Sequence, residues 1–338
     1  MKIIITIQHP AHVHFFRNTI LELKSEGHEI HVFARDKDIT IELLDHYGIA
    51  HSVLAGDGSS LLETALVQTR YEYRILKRAR QIKPDVMTAI AEPAVSHVAS
   101  LLGARSVVFS DTEHATLSNR LAFPFADVVC TPACFSTHVG DNHVKYDSYH
   151  EFAYLHPNRF DPDPEILDDM GLDRNEQFVI LRTVSWDAVH DVGDQGFTDL
   201  DAVVEQLEST GASVIITSED DLPTALEPYQ AKVPAHQMHD LMAFADLFIG
   251  ESATMATESA VLGTPGLLIS TSRRCYTDEL ETKYGMVETF SNGKRQQDAL
   301  HRAVDILEEE NQEKWESLRN QIMNDKCDTT NVILNKIT

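Results

Sequence analysis

Short β-branched runs alternate with amphipathic stretches through most of this chain, and that alternation leaves few folds open. Candidate strands in the first half are Lys2–Ile7, Glu29–Arg35, Ile49–Leu54, Asp85–Ile90, Ser106–Ser110 and Asp127–Thr131. Between them apolar residues recur at helical spacing, as in Phe15, Phe16, Ile20, Leu21 and Leu23, and Gly27 ends that stretch as a C-terminal glycine cap does. Strands and helices in this order predict a parallel sheet with helices on both faces. The pattern weakens after Thr131. The stretch from Tyr146 to Pro164, with Pro157 and Pro162 inside it, reads as a linker without a helix. Alternation then resumes at Phe178–Val184, Ala212–Ser218, Asp246–Gly250 and Pro265–Ser270, and an acidic helix pair spans Lys294 to Asn335. The expected fold is α/β: two Rossmann-like domains, residues 1–160 and 161–338, facing a central cleft onto which the strand ends open.

A length of 338 residues suits two domains at roughly 150 residues each. No apolar run approaches the ~20 residues that span a bilayer, and Met1 leads straight into the strand at Ile3, so no signal peptide is expected. Four cysteines do not make a disulfide scaffold, and Cys130 and Cys134, on either side of Pro132, read as buried thiols. These features predict a soluble, cytoplasmic protein. With 53 acidic and 28 basic side chains the net charge is −25, which repels phosphate backbones and excludes a general nucleic-acid binder. Such a surface suits high salt, where self-repulsion is screened within a few ångströms.

Three segments carry candidate chemistry. Gln8-His9-Pro10-Ala11-His12-Val13-His14 follows the first strand and opens the first helix, at the sheet edge where α/β folds bind ligands. His12 and His14 are candidate bases or hydrogen-bond donors to a phosphate, or else polar residues of a helix start. Their H-x-H spacing could hold a metal, but no third ligand is evident nearby. Ser110-Asp111-Thr112-Glu113-His114 brings two carboxylates and an imidazole to another strand end, as an acid/base set or as helix caps. Glu92 is a weaker candidate of the same kind, with Pro93 behind it at a first helical position. The third segment runs from Phe248 to Pro265: a buried strand, a small-residue loop and a helix. Ser252, Ala253, Thr254 and Met255 at that helix start offer backbone N–H groups to a diphosphate, and Glu258 lies one turn further on. A plain strand–turn–helix crossover is the structural alternative.

Smaller features point the same way. Arg182 and Trp186 follow the first strand of the second half, where they could neutralise a diphosphate and stack on a ring. His236 and His239 open a later helix. Against the acidic background, Arg70, Arg74, Lys77, Arg78, Arg80 and Lys83 crowd one predicted helix. The first four share a face, which fits either a lipid-phosphate acceptor, an anionic membrane surface or a solvated helix side.

The third segment resembles the donor half of GT-B glycosyltransferases and of non-hydrolysing UDP-GlcNAc 2-epimerases. Taken with His9–Phe16, Ala34–Asp38 and Asp111–His114, the chain resembles domain-of-unknown-function family 354, a mostly archaeal group, over nearly its whole length. The resemblance implies that Ser252 to Met255 hold the diphosphate, that Glu258 binds the ribose, and that no metal or other cofactor is required. Two departures stand out. Ala253 replaces a glycine common in such loops, and Glu251 puts a carboxylate beside the phosphate position. The leading expectation is a glycosyltransferase that takes a nucleotide-diphosphate sugar, with His12, His14, Asp111 or Glu113 as base and Arg70, Arg74, Lys77 and Arg78 toward a lipid-linked acceptor. The alternatives are an epimerase acting on the same donor and a non-catalytic nucleotide-sugar-binding protein.

Overall fold

The computed structural model describes residues 1–56, 61–184, 197, 199–218, 221–309 and 311–338. Its contacts divide the chain into unit 1, Met1–Arg159 with Lys326–Thr338, and unit 2, Phe160–Asp325.

Unit 1 runs β1 (Lys2–Ile7), α1 (Pro10–Ser25), β2 (Glu29–Arg35), α2 (Thr40–His46), β3 (His51–Ala55), α3 (Leu61–Ile82), β4 (Val86–Ile90) and α4 (Pro93–Leu102). It continues with β5 (Arg105–Phe109), α5 (Thr116–Ala122), a 3-10 turn at Phe123–Phe125, β6 (Val128–Pro132), β7 (His143–Tyr146) and a second 3-10 turn at His150–Ala153. The strands form one parallel sheet in the order β3-β2-β1-β4-β5-β6-β7. Burial on both faces explains the unbroken apolar run of β1, whose Ile3, Ile4, Ile5 and Ile7 are fully buried. On one face Ile4, Met87 and Ala89 pack against Tyr71 and Ile75 of α3 and Val95 and Val98 of α4, and Val108 packs against Ala122 and Phe123. On the other face Phe15 of α1 meets Phe109 edge-on.

In unit 2 the elements are α6 (Glu165–Met170), β8 (Phe178–Thr183), α7 (Leu200–Glu208), β9 (Ser213–Ser218), α8 (Met238–Phe244), β10 (Leu247–Gly250) and α9 (Ala253–Leu262). They are followed by β11 (Gly266–Ile269), α10 (Cys275–Glu279), β12 (Val287–Phe290), α11 (Arg295–Glu308) and α12 (Gln312–Asp325). The sheet is again parallel, in the order β12-β11-β10-β8-β9.

Each expected strand is present, with ends moved by at most two residues, whereas β7 and β12 are additional. Both have four residues, too few for a period to stand out. The expected linker is the larger difference. Tyr146 belongs to β7, and Tyr149, Phe152, Ala153, Tyr154 and Leu155 are buried in unit 1. The acidic tail is three helices, not a pair, and the last, α13 (Thr329–Ile337), belongs to unit 1 although the sequence reading places it in the second domain. Asp328 caps α13 through the amides of Thr330 and Asn331, while the Thr329 and Thr330 hydroxyls donate to the carbonyls of Tyr149 and Ala153, each at 2.7 Å. Asn18 of α1 donates to the same Ala153 carbonyl at 2.8 Å, so the turn is held from both sides.

Strand order locates the edges that matter. It reverses between β1 and β4 in unit 1 and between β8 and β10 in unit 2, and crevices open above such reversals at the carboxyl ends. Close packing across the second reversal requires Gly250: a Cβ there would lie 2.5 Å from the Arg182 carbonyl oxygen and 2.6 Å from its Cβ. Gly250→Ala is therefore expected to destabilise unit 2 by about 1–3 kcal/mol, the usual cost of overpacking. Denaturant unfolding measures it, and an unchanged midpoint would show that β8 and β10 have slack at this point.

Candidate active site

In unit 1 the edge residues divide by role. Pro10 fills the first position of α1, and His9 caps the helix by accepting from the Ala11 amide at 3.2 Å. His14 is buried with its ring against Tyr154, at 5.3 Å between centroids, and edge-on to Tyr47 at 5.9 Å. Two residues earlier, His12 turns elsewhere. Its Nδ1 is buried without a hydrogen-bond partner. Burial first, then the neighbouring His9 and His150, hold its pKa down to about 3 against the opposing pull of Asp111. His12 is thus a neutral ring with a lone pair.

Asp111 follows β5 and forms the densest contact of this edge. Thr112 donates its hydroxyl to the carboxylate at 2.8 Å, and His150 Nδ1 lies 3.1 Å from its other oxygen. Burial disfavours the charge, but the adjacent His150 and the two hydrogen bonds outweigh it and hold the pKa at about 2. The far nitrogen of His150, Nε2, is buried without a partner, as is the Tyr146 hydroxyl, which burial and Asp111 push well up. Sequence reasoning missed His150 and Tyr146 because both lie in the stretch read as a linker. Four aromatic residues between Tyr146 and Tyr154 were the available signal that it is packed.

The other acid/base candidates are engaged structurally. Glu113 accepts from the amide and hydroxyl of Ser136, at 3.1 and 3.3 Å, and so ties down the loop after β6. Glu92 caps α4 through the Ala94 amide at 2.9 Å and accepts from Gln68 at 2.6 Å, with the Arg35 guanidinium 3.7 Å away. Burial raises its pKa despite Arg35. Ala91, just before it, holds a left-handed φ of 44°, costly for a residue with a Cβ. Among the described residues no cluster of three or more His, Cys, Asp or Glu is placed to hold a metal ion.

Unit 2 assembles its candidates at the β8/β10 reversal, where Arg182 and Gly250 are register partners. Ser252 caps α9, accepting from the Met255 amide at 3.3 Å. Ala253, Thr254 and Met255 form the half-buried first turn, whose leading amides point out of the helix for want of a preceding turn. Glu251 is turned inward, accepting from the amides of Val184 at 3.0 Å and Phe197 at 3.1 Å. Each of its two oxygens thus accepts from a backbone amide. Glu258 is buried, and His239 Nε2 donates to it at 2.9 Å, with the Phe160 ring edge-on to His239. The sequence suggested no partner for Glu258, because His239 sits nineteen positions earlier on α8. Trp186 lies outside the described residues.

A profile described as "Protein of unknown function (DUF354)" matches residues 1–337. The chain belongs to the DUF354 family. Among curated proteins, the DUF354 chain is 23% identical over 289 residues to an uncharacterized protein (MJ0665) of Methanocaldococcus jannaschii, covering 82% of each. Its fold is similar to that of the spinosyn forosaminyltransferase SpnP, with a TM-score of 0.66, 15% identity and 99% and 98% of the two chains covered. The Neisseria meningitidis UDP-GlcNAc 2-epimerase, solved with UDP-GlcNAc, gives a TM-score of 0.66 at 13% identity over 99% of both chains. Glycosyltransferase VinC, in complex with dTDP, gives 0.65 at 14% identity over 100% of this chain and 99% of its own. The DUF354 chain thus has the GT-B fold of two Rossmann-like units, shared by transferases and an epimerase.

The low pKa values of His12 and Asp111 make unit 1 acid-sensitive. The unfolded chain binds a proton at His12 near pH 6.5 and the folded chain only near 3, so stability falls as pH drops between these values. Asp111 adds a loss between its unfolded value of 3.8 and its folded value of about 2. His12→Phe should therefore flatten the fall in Tm between pH 6.5 and 4 relative to wild type. Parallel Tm–pH curves would show that His12 is not held neutral.

Proposed function

We propose that this protein is a glycosyltransferase that moves a sugar from a nucleotide diphosphate to a hydroxyl or phosphate-bearing acceptor. The observation that carries the reading is the Asp111–His150 pair: one imidazole nitrogen bonds a carboxylate and the other is buried without a partner. A carboxylate behind the ring stabilises the imidazolium formed when Nε2 takes a proton. His12 suits that task less well, because burial and its neighbours disfavour its charged form. Its neutral ring would instead hydrogen-bond the acceptor or the sugar.

The chemistry divides between the units. Unit 2 takes the donor, with its diphosphate on the amides of Ala253, Thr254 and Met255 and beside Arg182, and its ribose toward Glu258. In transfer to a hydroxyl, the acceptor oxygen bonds the anomeric carbon and gives up its proton to a base, the role assigned to His150. The bond from that carbon to the diphosphate breaks, and the electron pair leaves with the diphosphate, where the start of α9 stabilises it. His14 and Glu113 act through packing and loop anchorage. The acceptor is assigned to a glycan or glycolipid precursor, because Arg70, Arg74, Lys77 and Arg78 form an exposed basic face on unit 1.

One observation favours the epimerase reading. Glu92, whose Oε2 is buried without a hydrogen-bond partner, stands on the same sheet edge as the Asp111–His150 pair, so two acid/base groups coexist there without any second substrate.

Incubation with UDP- and TDP-sugars, with and without a long-chain isoprenoid phosphate, separates the readings. Nucleotide release that depends on the acceptor is the expected result. Sugar isomerisation without acceptor would replace transfer by epimerisation, and binding without turnover of any kind would leave a nucleotide-sugar-binding protein. His150→Gln and Asp111→Asn should each lower kcat about 10²-fold with donor affinity unchanged. Glu258→Gln should weaken donor binding by about 1.5–3 kcal/mol in calorimetry.

A further inference from the structure

The described residues expose ten large hydrophobic side chains, and all of them belong to unit 1. Most sit on the side of the sheet covered by α3, α4 and α5. Leu117 is 72% exposed, Leu101 70% and Tyr73 66%, with Leu121 and Phe125 beside them. His97 shows that these positions adjoin. From α4 its ring bonds Glu72 of α3 and the Leu121 carbonyl of α5, each at 3.0 Å, and packs edge-on against Phe125 at 4.8 Å.

Charge on this side is as unusual as its apolarity. Residues 61–83, 93–105 and 114–126 hold eight Lys or Arg and, beyond Glu63 in the first turn of α3, a single acid, in a chain whose net charge is −25. That acid, Glu72, is paired with His97. Among the described residues Arg70, Lys77, Arg78 and Arg80 have no ion-pair or hydrogen-bond partner. Arg74, Lys77 and Arg78 line a basin of about 470 Å³ with Val53 and Leu54, and Arg74 reaches the Leu54 carbonyl at its inner wall. A solvated helix side explains the cations but not the exposed leucines and aromatics beside them.

We propose that the α3–α4–α5 side of unit 1 docks on an anionic phospholipid bilayer. Leu117, Leu121, Phe125 and Tyr73 enter the interfacial layer, and the cations of α3 take lipid phosphates, with the basin admitting one headgroup. Charge complementarity selects this occupant. An acidic chain is repelled by an anionic surface everywhere except where cations are concentrated, so the docked orientation is fixed. The inference is independent of which sugar is transferred, or whether any is.

Vesicle co-sedimentation tests it, using phosphatidylglycerol and phosphatidylcholine vesicles at low and at molar salt. Wild type should bind phosphatidylglycerol vesicles at low salt at least tenfold more strongly than phosphatidylcholine ones. Arg70→Gln, Arg74→Gln, Lys77→Gln and Arg78→Gln together should remove that preference. Leu117→Gln, Leu121→Gln and Phe125→Gln, all exposed and so compatible with the fold, should weaken binding at both salt concentrations. Equal binding by wild type and both variants, or none by any, overturns the proposal. A wild-type dimer that only the apolar variant dissolves, with no vesicle binding, would assign the patch to a second copy and equally overturn it. Inorganic phosphate that displaces the protein from vesicles at millimolar concentration would reduce the basin to a free-anion site. Donor calorimetry on wild type keeps the two readings apart. No docking by wild type with intact nucleotide-sugar binding refutes only the surface, and variant-sensitive docking without nucleotide-sugar binding refutes only the proposed function.

Discussion

A parallel strand cannot return through a hairpin, so every strand here is followed by a crossover that carries the chain back across a sheet face. The strand interiors are thereby committed to apolar residues on both sides, and polar chemistry is confined to the loops where strands end. Both units obey this constraint. Ile3, Ile4 and Ile5 are wholly buried, and the first polar cluster gathers only at His9, His12 and Asp111 beyond the carboxyl ends. In unit 2 the strand order reverses at β8 and β10, which brings Arg182 and the start of α9 together although some seventy residues separate them.

The same constraint explains how much was legible in the sequence. Runs such as Lys2–Ile7 admit no reading but a buried strand, and loops directly after such runs are sheet edges, so His12, Asp111 and Ser252 were placed correctly at edges. What lay beyond the sequence was which side chains face one another. Asp111 and His150 are thirty-nine positions apart, and nothing in local pattern joins them. Proline content misled at Tyr146–Pro164, because prolines at its far end obscured the aromatic residues packed at its near end. His12 and His14 looked equivalent on a linear reading. On a helix, positions two apart point to different faces, and one imidazole became packing for Tyr154 while the other is buried with its Nδ1 unpartnered.

Glu251 and Glu258 show how electrostatics is settled locally. Both are buried near the start of α9, and each is engaged by the fold: Glu251 by two backbone amides and Glu258 by His239. Hydrogen bonds of this kind offset the cost of burying each carboxyl group. Elsewhere the excess of acids works at long range, making the few acid-free surfaces distinctive.

Lys326–Thr338 gives unit 1 an unusual assembly schedule. The sheet of unit 1 leaves the ribosome first, but Tyr149 and Ala153 receive their partners Thr329 and Thr330 only after all of unit 2 has emerged. Until then the seam between α1 and the 3-10 turn is uncovered, and the earliest-made half is the last to be finished. A chain that stops before Lys326 leaves that flank of unit 1 open. The first core thus closes only with a segment that the chain supplies after all of unit 2.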